Sequence, residues 1–191
     1  PIYLTCSSEL LQNSLGVVLK LLNCGHQFAQ QLNSQRSASE NSYKADIIQR
    51  HFQEFHNFLI SKVTSSERQE RFHPTKYIDY PRFRKIWMDK FGKEKAAMKE
   101  YAPDICWHVM RTYIKGLSID GYLDKEEYDE LPKGEKSVSQ ETFDGIYSKV
   151  WTNWYELLVE KQGYWDDQDL VRYLLLEDRI LPEYLVVFAD E

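Results

Sequence analysis

Apolar positions along the chain fall into two kinds of pattern. Short unbroken runs stand at the two ends, Ile2 to Ser7 (IYLTCS) and Leu185 to Glu191 (LVVFADE). Such runs, bounded by turn signals, predict buried strands. Between them apolar residues recur at every third or fourth position, the spacing that gives a helix one face to bury. Leu10, Leu11, Leu15, Val18, Leu19 and Leu22 predict a helix directly after the first strand, and Ile47, Ile48, Phe52, Phe55, Phe58 and Leu59 predict another from Tyr43 to about Val63. Tyr80-Pro81 suits a helix start with Pro in its first turn and no Ser or Asp cap, and Gly92 stops that helix. Pro103 to Gly116 carries Ile105, Val109, Met110 and Tyr113 on one face. Asp124 followed by Glu127 is a capping-box pattern. In the most strongly periodic helix Phe143, Tyr147, Val150, Trp154 and Leu158 repeat, with Ser139 as its cap and Gly163 as its end. DDQDLVRYLLLED supplies one more helix with an acidic start, and Asn33–Ser42 reads as a disordered polar loop. The ends are therefore β and the middle helical, without an internal repeat.

Composition sharpens this picture in three places. At 42% hydrophobic and 14% aromatic residues, 191 positions can build a real core, enough for one domain or a domain with an insertion. No apolar run approaches the ~20 residues of a membrane-crossing helix, and no basic segment precedes the first apolar stretch, so neither a membrane partner nor a signal peptide is expected. Cys6, Cys24 and Cys106 are odd in number and far apart, which suits free thiols in a reducing compartment and an intracellular site, cytoplasmic or nuclear.

Charge is unevenly spread. Residues 1–103 carry 15 Lys and Arg against 10 Asp and Glu, net +5, and residues 104–191 carry 9 against 20, net −11. The basic excess lies mostly between Lys62 and Lys99, interleaved with aromatics. That mixture suits phosphate contact and base stacking, and it equally suits a solvated helix surface with its aromatics in the core; composition alone favours the second. The acidic half offers a docking surface for a basic protein.

The last strand brings in specific chemistry. Apolar residues, then Ala189, Asp190 and Glu191, form the Walker B pattern of P-loop NTPases. A buried parallel strand opens at its C-terminal end onto a ligand crevice, where one carboxylate holds Mg²⁺ and the next positions water. The plainer reading is a core strand ending in solvated acids. The stretch before it, with the aromatic helix Phe143 to Leu158, then Asp166-x-x-Asp169-Leu170, then Leu185–Glu191, resembles the approach to motif II in UvrD/Rep-like superfamily 1 helicases. YLTCSSELLQNSL resembles motif Ia of that family through Thr5, Ser7 and Leu10, although Ser8 and Glu9 stand where basic residues or Asn are common. YIKGLSIDGYLDKEEYDEL is similar to a divergent branch, typified by large repeat-containing UvrD-like chains.

The resemblance implies an α/β parentage, mostly α in this chain: a partial RecA-like sheet from the terminal strands, with a large helical insertion. Residues 1–24 and 166–191 would be core segments and 25–165 the insertion. It implies Mg²⁺ and ATP as cofactors of the parent protein, with Asp190 on the metal and Glu191 activating water, none of them tightly bound to this chain by itself. It implies a single-stranded nucleic acid partner, DNA rather than RNA, met by Thr5 and Ser7. The basic stretch, through Arg82, Arg84 and Lys85, is the candidate second contact. No G-x-x-x-x-G-K-[ST] occurs; Trp87 stands where FGKEKAA would need its first glycine. The chain is therefore expected to be an excised piece of a larger ATPase and not to hydrolyse ATP by itself. A non-enzymatic binding module is the alternative, and a plain helical domain with an accidental acidic end is a third.

Two weaker patterns remain. DGYLDKEEY resembles half of an EF-hand loop, with Asp120, Asp124 and Glu127 in ligand positions, but Gly116 stands where the first Asp belongs. His51 and His56 are five apart, not the four that lets one helix face share a metal, and Trp151, Trp154, Tyr155, Tyr164 and Trp165 read as core.

Overall fold

A computed structural model describes residues 2–21, 50–94, 98, 101–180 and 186–190. The fold is mostly helical, with one small parallel sheet. Two compact units divide the chain: Pro1–Lys62 with Ile180–Glu191, and Val63–Arg179.

In the first unit, β1 (Ile2–Thr5) is the central strand of the order β2-β1-β3. Its Ile2, Leu4 and Thr5 are buried. The helix α1 (Ser8–Leu21) follows. β2 (Phe52–Glu54) and β3 (Val187–Asp190) pair with β1 in parallel from either side. β2 corrects the expectation of an unbroken helix from Tyr43 to Val63. Its three residues are extended because β1 offers them a ladder; the Tyr3 N–H donates to His51 O at 2.7 Å, and the Tyr3 and Phe52 rings meet at 5.2 Å. Helix resumes only at α2 (Phe55–Ser61), which buries Phe58 and Leu59. The loop 33–42, Ile47 and Ile48 lie outside the described residues.

The second unit is helical. It comprises α3 (Ser65–Glu70), α4 (Tyr80–Phe91), α5 (Pro103–Val109), α6 (Lys125–Glu130), α7 (Gln140–Ile146), α8 (Glu156–Gln162) and α9 (Asp167–Leu176). α4 does have an acidic cap, contrary to the expectation: Asp79 accepts the Arg82 N–H at 2.9 Å. The capping box of Asp124 and Glu127 is in place, with bonds of 2.9 and 2.8 Å. Ser139 caps α7, and Gly163 ends α8 with a φ of 69° that suits glycine.

Between α7 and α8 the chain stays helical as a π-helix, Tyr147–Tyr155, and a second π-helix, Met110–Ile114, extends α5. Bonding from i to i+5 puts more residues in each turn, so the buried face rotates away from the one that an α-helical period predicts. The core receives Phe143, Ile146, Val150, Trp151 and Tyr155, while Tyr147, Trp154 and Leu158 are only half-buried against it. Trp87, Phe83 and Phe91 from α4 and Cys106, Val109, Met110, Tyr113 and Ile114 from the α5 region complete that core.

The unit boundaries fall at 62/63 and 179/180, later than the 24/25 and 165/166 expected from sequence. β2 draws the first boundary past residue 54 by joining the sheet, and contacts that hold Asp166 and Asp169 inside the helical unit draw the second past α9.

Candidate functional site

The C-terminal end of the sheet gathers the residues that the Walker B and motif Ia patterns singled out. Thr5 is the register partner of Asp190, and Leu4 of Ala189, so both strands end at one edge of the sheet. Parallel strands present their carboxyl ends together, which is where open α/β sheets place ligands. The turn after β1 folds on its own hydroxyls. The Ser7 N–H donates to Thr5 Oγ1 at 3.1 Å, and the Leu10 N–H donates to Ser7 Oγ at 3.2 Å, which satisfies an otherwise orphaned amide of α1. Thr5 is 1% exposed, while Ser7 is half-buried and reachable. Of Asp190 the structure describes the backbone, and Glu191 lies outside the described residues.

One expectation about this strand is corrected. A Walker B strand was expected to be buried on both faces, yet Val187 is 54% and Phe188 59% exposed. Among the described residues β3 pairs only with β1 and stands at the sheet edge, so one backbone side and much of both faces remain open.

The three basic residues of α4 singled out from sequence, Arg82, Arg84 and Lys85, separate into two roles. Arg82 Nη1 donates to Tyr77 O at 2.6 Å, and its guanidinium lies 5.1 Å from the Tyr164 ring centre, where Lys76 Nζ also sits at 4.6 Å. Arg82 is therefore a brace between the Tyr77 segment and Tyr164. Arg84 and Lys85 are exposed and leave the opposite, aromatic face of α4 to the core. The solvated-surface reading of the basic stretch thus describes how its aromatics pack, and Arg84 and Lys85 remain accessible to a phosphate backbone.

Asp166 and Asp169 do more than start a helix. Asp166 accepts the Gln168 and Asp169 N–H groups at 2.8 and 3.4 Å, and Asp169 accepts the Asp166 N–H at 2.9 Å. Lys115 Nζ then donates to both carboxylates at 2.6 Å, and the Tyr155 hydroxyl donates to Asp166 at 3.3 Å. The three charged side chains are 1%, 2% and 13% exposed for Lys115, Asp166 and Asp169. Burial pushes Asp169 up to about 6 against the opposing pull of Lys115. For Lys115 burial acts downward, but the attraction and hydrogen bonds of the two carboxylates outweigh it and the ammonium is held above its ordinary value. So closed a cluster orients the start of α9 and the end of the α5 region, and of its charged groups Asp169 borders a hollow. Sequence reasoning missed Lys115. Its only signal was a charged residue directly after the apolar pair Tyr113 and Ile114.

The lesser patterns resolve locally. Asp124 and Glu127 accept each other's backbone N–H groups, as described, which engages two of the three EF-hand-like carboxylates and leaves Asp120 exposed. His108 Nε2 lies 2.8 Å from Ser137 Oγ beside an open hollow of about 770 Å³. Cys6 is free and exposed; Cys106 is free and buried, and burial pushes its thiol up to about 12. Among the described residues no three of His, Cys, Asp and Glu converge as a metal site, and no helix is long and apolar enough to cross a membrane. Comparison of the chain with protein-family models, with curated proteins and with solved structures gives no match.

Proposed function

We propose that this chain is part of the motor of a UvrD/Rep-type ATP-dependent helicase, to which it contributes a motif Ia turn, a helical insertion and a Walker B strand. One observation carries the reading: β1 and β3 are parallel neighbours, with Thr5 opposite Asp190. A plain helical domain with an accidental Asp-Glu end gives no reason for the first and last described strands to pair, in parallel, with their motif-bearing tips level. In this reading the sheet is a partial RecA-like sheet, Asp190 holds the Mg²⁺ that accompanies ATP, and Glu191 orients the attacking water.

A motor of this type needs a phosphate-binding loop, and these 191 residues contain none. The chain by itself therefore binds a strand but does not turn over ATP. Ser7, Arg84 and Lys85 are the accessible members of the strand-binding set, with Arg82 bracing the helix that carries the last two. Single-stranded DNA is the expected partner. Fluorescence anisotropy of a labelled single strand tests this: affinity falls as salt rises, by the counterion release that phosphate contacts produce, and the double substitution Arg84→Glu with Lys85→Glu weakens it. Unaltered binding by that variant counts against these two residues as the contact.

A second reading has its own support. Thr5 is buried, and the oxygens of Thr5 and Ser7 accept local amides. If single strands do not bind and a basic protein does, the acidic half acts as a docking surface and the chain is a binding module.

A further inference from the structure

The helical unit contains a second hollow, of about 320 Å³, whose wall includes Arg71, Tyr122, Gly163, Tyr164, Arg172 and Tyr173. Its two guanidiniums lie over aromatic rings of the same wall. Arg71 lies 4.5 Å from the Tyr173 ring centre and Arg172 lies 4.6 Å from that of Tyr122. Stacking of this kind fixes a guanidinium through its charge while leaving most N–H donors free. Arg172 uses only Nε, toward Ile119 O at 2.8 Å. Among the described residues neither arginine pairs with a carboxylate.

The acids of the same wall are already engaged. Glu160 accepts the Tyr122 hydroxyl at 3.0 Å, and Asp169 accepts Lys115 and the Asp166 amide. The charges near the hollow favour an anion. Glu160, with Glu67 and Glu177 beside Tyr173, contributes three negative charges and the Lys115 cluster an excess of one; Arg71 and Arg172, with Lys76 and Arg82 over the Tyr164 ring and Arg179 over the Tyr173 ring, contribute five positive charges, a surplus of one. The unspent donors suit phosphate oxygens, and the neighbouring rings suit a sugar or a base. Beside Gly163 there is open space: among the described residues, none but its own chain neighbours comes within 4 Å of where a Cβ would stand.

We propose that this hollow binds the phosphate of a nucleotide, gripped by Arg71 and Arg172, with the tyrosine rings flanking the nucleoside. The nucleotide is either free or one unit of a single strand; only the second source rests on the strand-binding reading above. Isothermal titration of the 191-residue chain with AMP, a thymidine decamer and inorganic phosphate tests it. AMP or the decamer binds at least about tenfold more tightly than inorganic phosphate. Arg71→Gln and Arg172→Gln each weaken that binding by about tenfold to a hundredfold, the loss expected for a charge-assisted contact, and Lys133→Gln on the exposed surface leaves it unchanged. Near-UV circular dichroism like that of wild type shows that the variants are folded, and exposed Arg71 loses only its stacking over the Phe72 and Tyr173 rings on substitution. AMP bound through the arginines, with the decamer unbound, assigns a free nucleotide and sinks the strand reading. The decamer bound equally by wild type and both Gln variants overturns the hollow and leaves the strand reading standing. No binding of AMP or decamer, or inorganic phosphate binding as tightly as both, also overturns it.

Discussion

Replacing Lys115 by methionine is the most informative perturbation of the helical unit. The substitution keeps most of the side-chain volume and removes the one ammonium that bonds both Asp166 and Asp169 at 2.6 Å. Taking one partner from a buried ion pair costs about 3–5 kcal/mol, because the remaining charge is stranded. Here two carboxylates are stranded, and Asp169 already titrates at about 6 with the lysine present. Without it Asp169 titrates higher still, so acid relieves the variant by neutralising the carboxyl. At about 2–4 °C per kcal/mol, the melting temperature should drop by roughly 6–20 °C near pH 8 and by much less near pH 5. All five tryptophans, Trp87, Trp107, Trp151, Trp154 and Trp165, lie within Val63–Arg179, so tryptophan fluorescence reports the melting of this unit alone. In wild type the signs differ by group. Asp169 has its folded value raised from 3.8 to about 6, so the folded state holds a proton that the unfolded chain releases, and its contribution falls as pH rises through that window. Lys115 has its folded value raised above 10.5; its contribution is complete below that pH and is lost as pH rises through the folded value. A variant that melts within about 2 °C of wild type near pH 8, or loses as much near pH 5, refutes the stranded-charge argument.

Three further outcomes follow from local geometry. In Gly116→Ala the new Cβ would stand 2.7 Å from Thr112 O and press on Arg111 O, both backbone atoms that cannot swing away; thermal melting should show a loss of about 1–3 kcal/mol, whereas Gly134→Ala, in open space, should be near neutral. Asp124→Ala removes half of a capping box and should cost about 1 kcal/mol, seen as a melting shift of about 2–4 °C. The open β3 edge should make the chain self-associate, and Phe188→Lys, which puts a charge there, should lower that association in sedimentation velocity; a wild-type chain that stays monomeric, or association unchanged by the substitution, contradicts the edge argument.

Legibility from sequence followed the range of the interaction. Caps and stops are local, so Asp124, Ser139 and Gly163 were readable from their immediate neighbours, and the apolar terminal runs did become strands. β2 was not readable. Phe52, Phe55, Phe58 and Leu59 keep a helical period, and only the ladder to β1, nearly fifty residues away, makes Phe52 extended. The face of the long aromatic helix was displaced because π-bonding changes the period that the sequence count assumed. Lys115 was missed because its partners lie 51 and 54 residues downstream, beyond any local pattern. At the strand tip the motif reading anticipated both terminal strands in one parallel sheet, and they lie in one and pair directly, but it missed the exposure of Val187 and Phe188, which depends on what flanks β3.

The motor reading is tested most directly by ATP turnover of the whole protein that carries this chain, with and without single-stranded DNA, for wild type and Glu191→Gln. The account predicts turnover stimulated by the strand in wild type and abolished by the substitution. Absence of turnover in wild type, or turnover that survives Glu191→Gln, would contradict it.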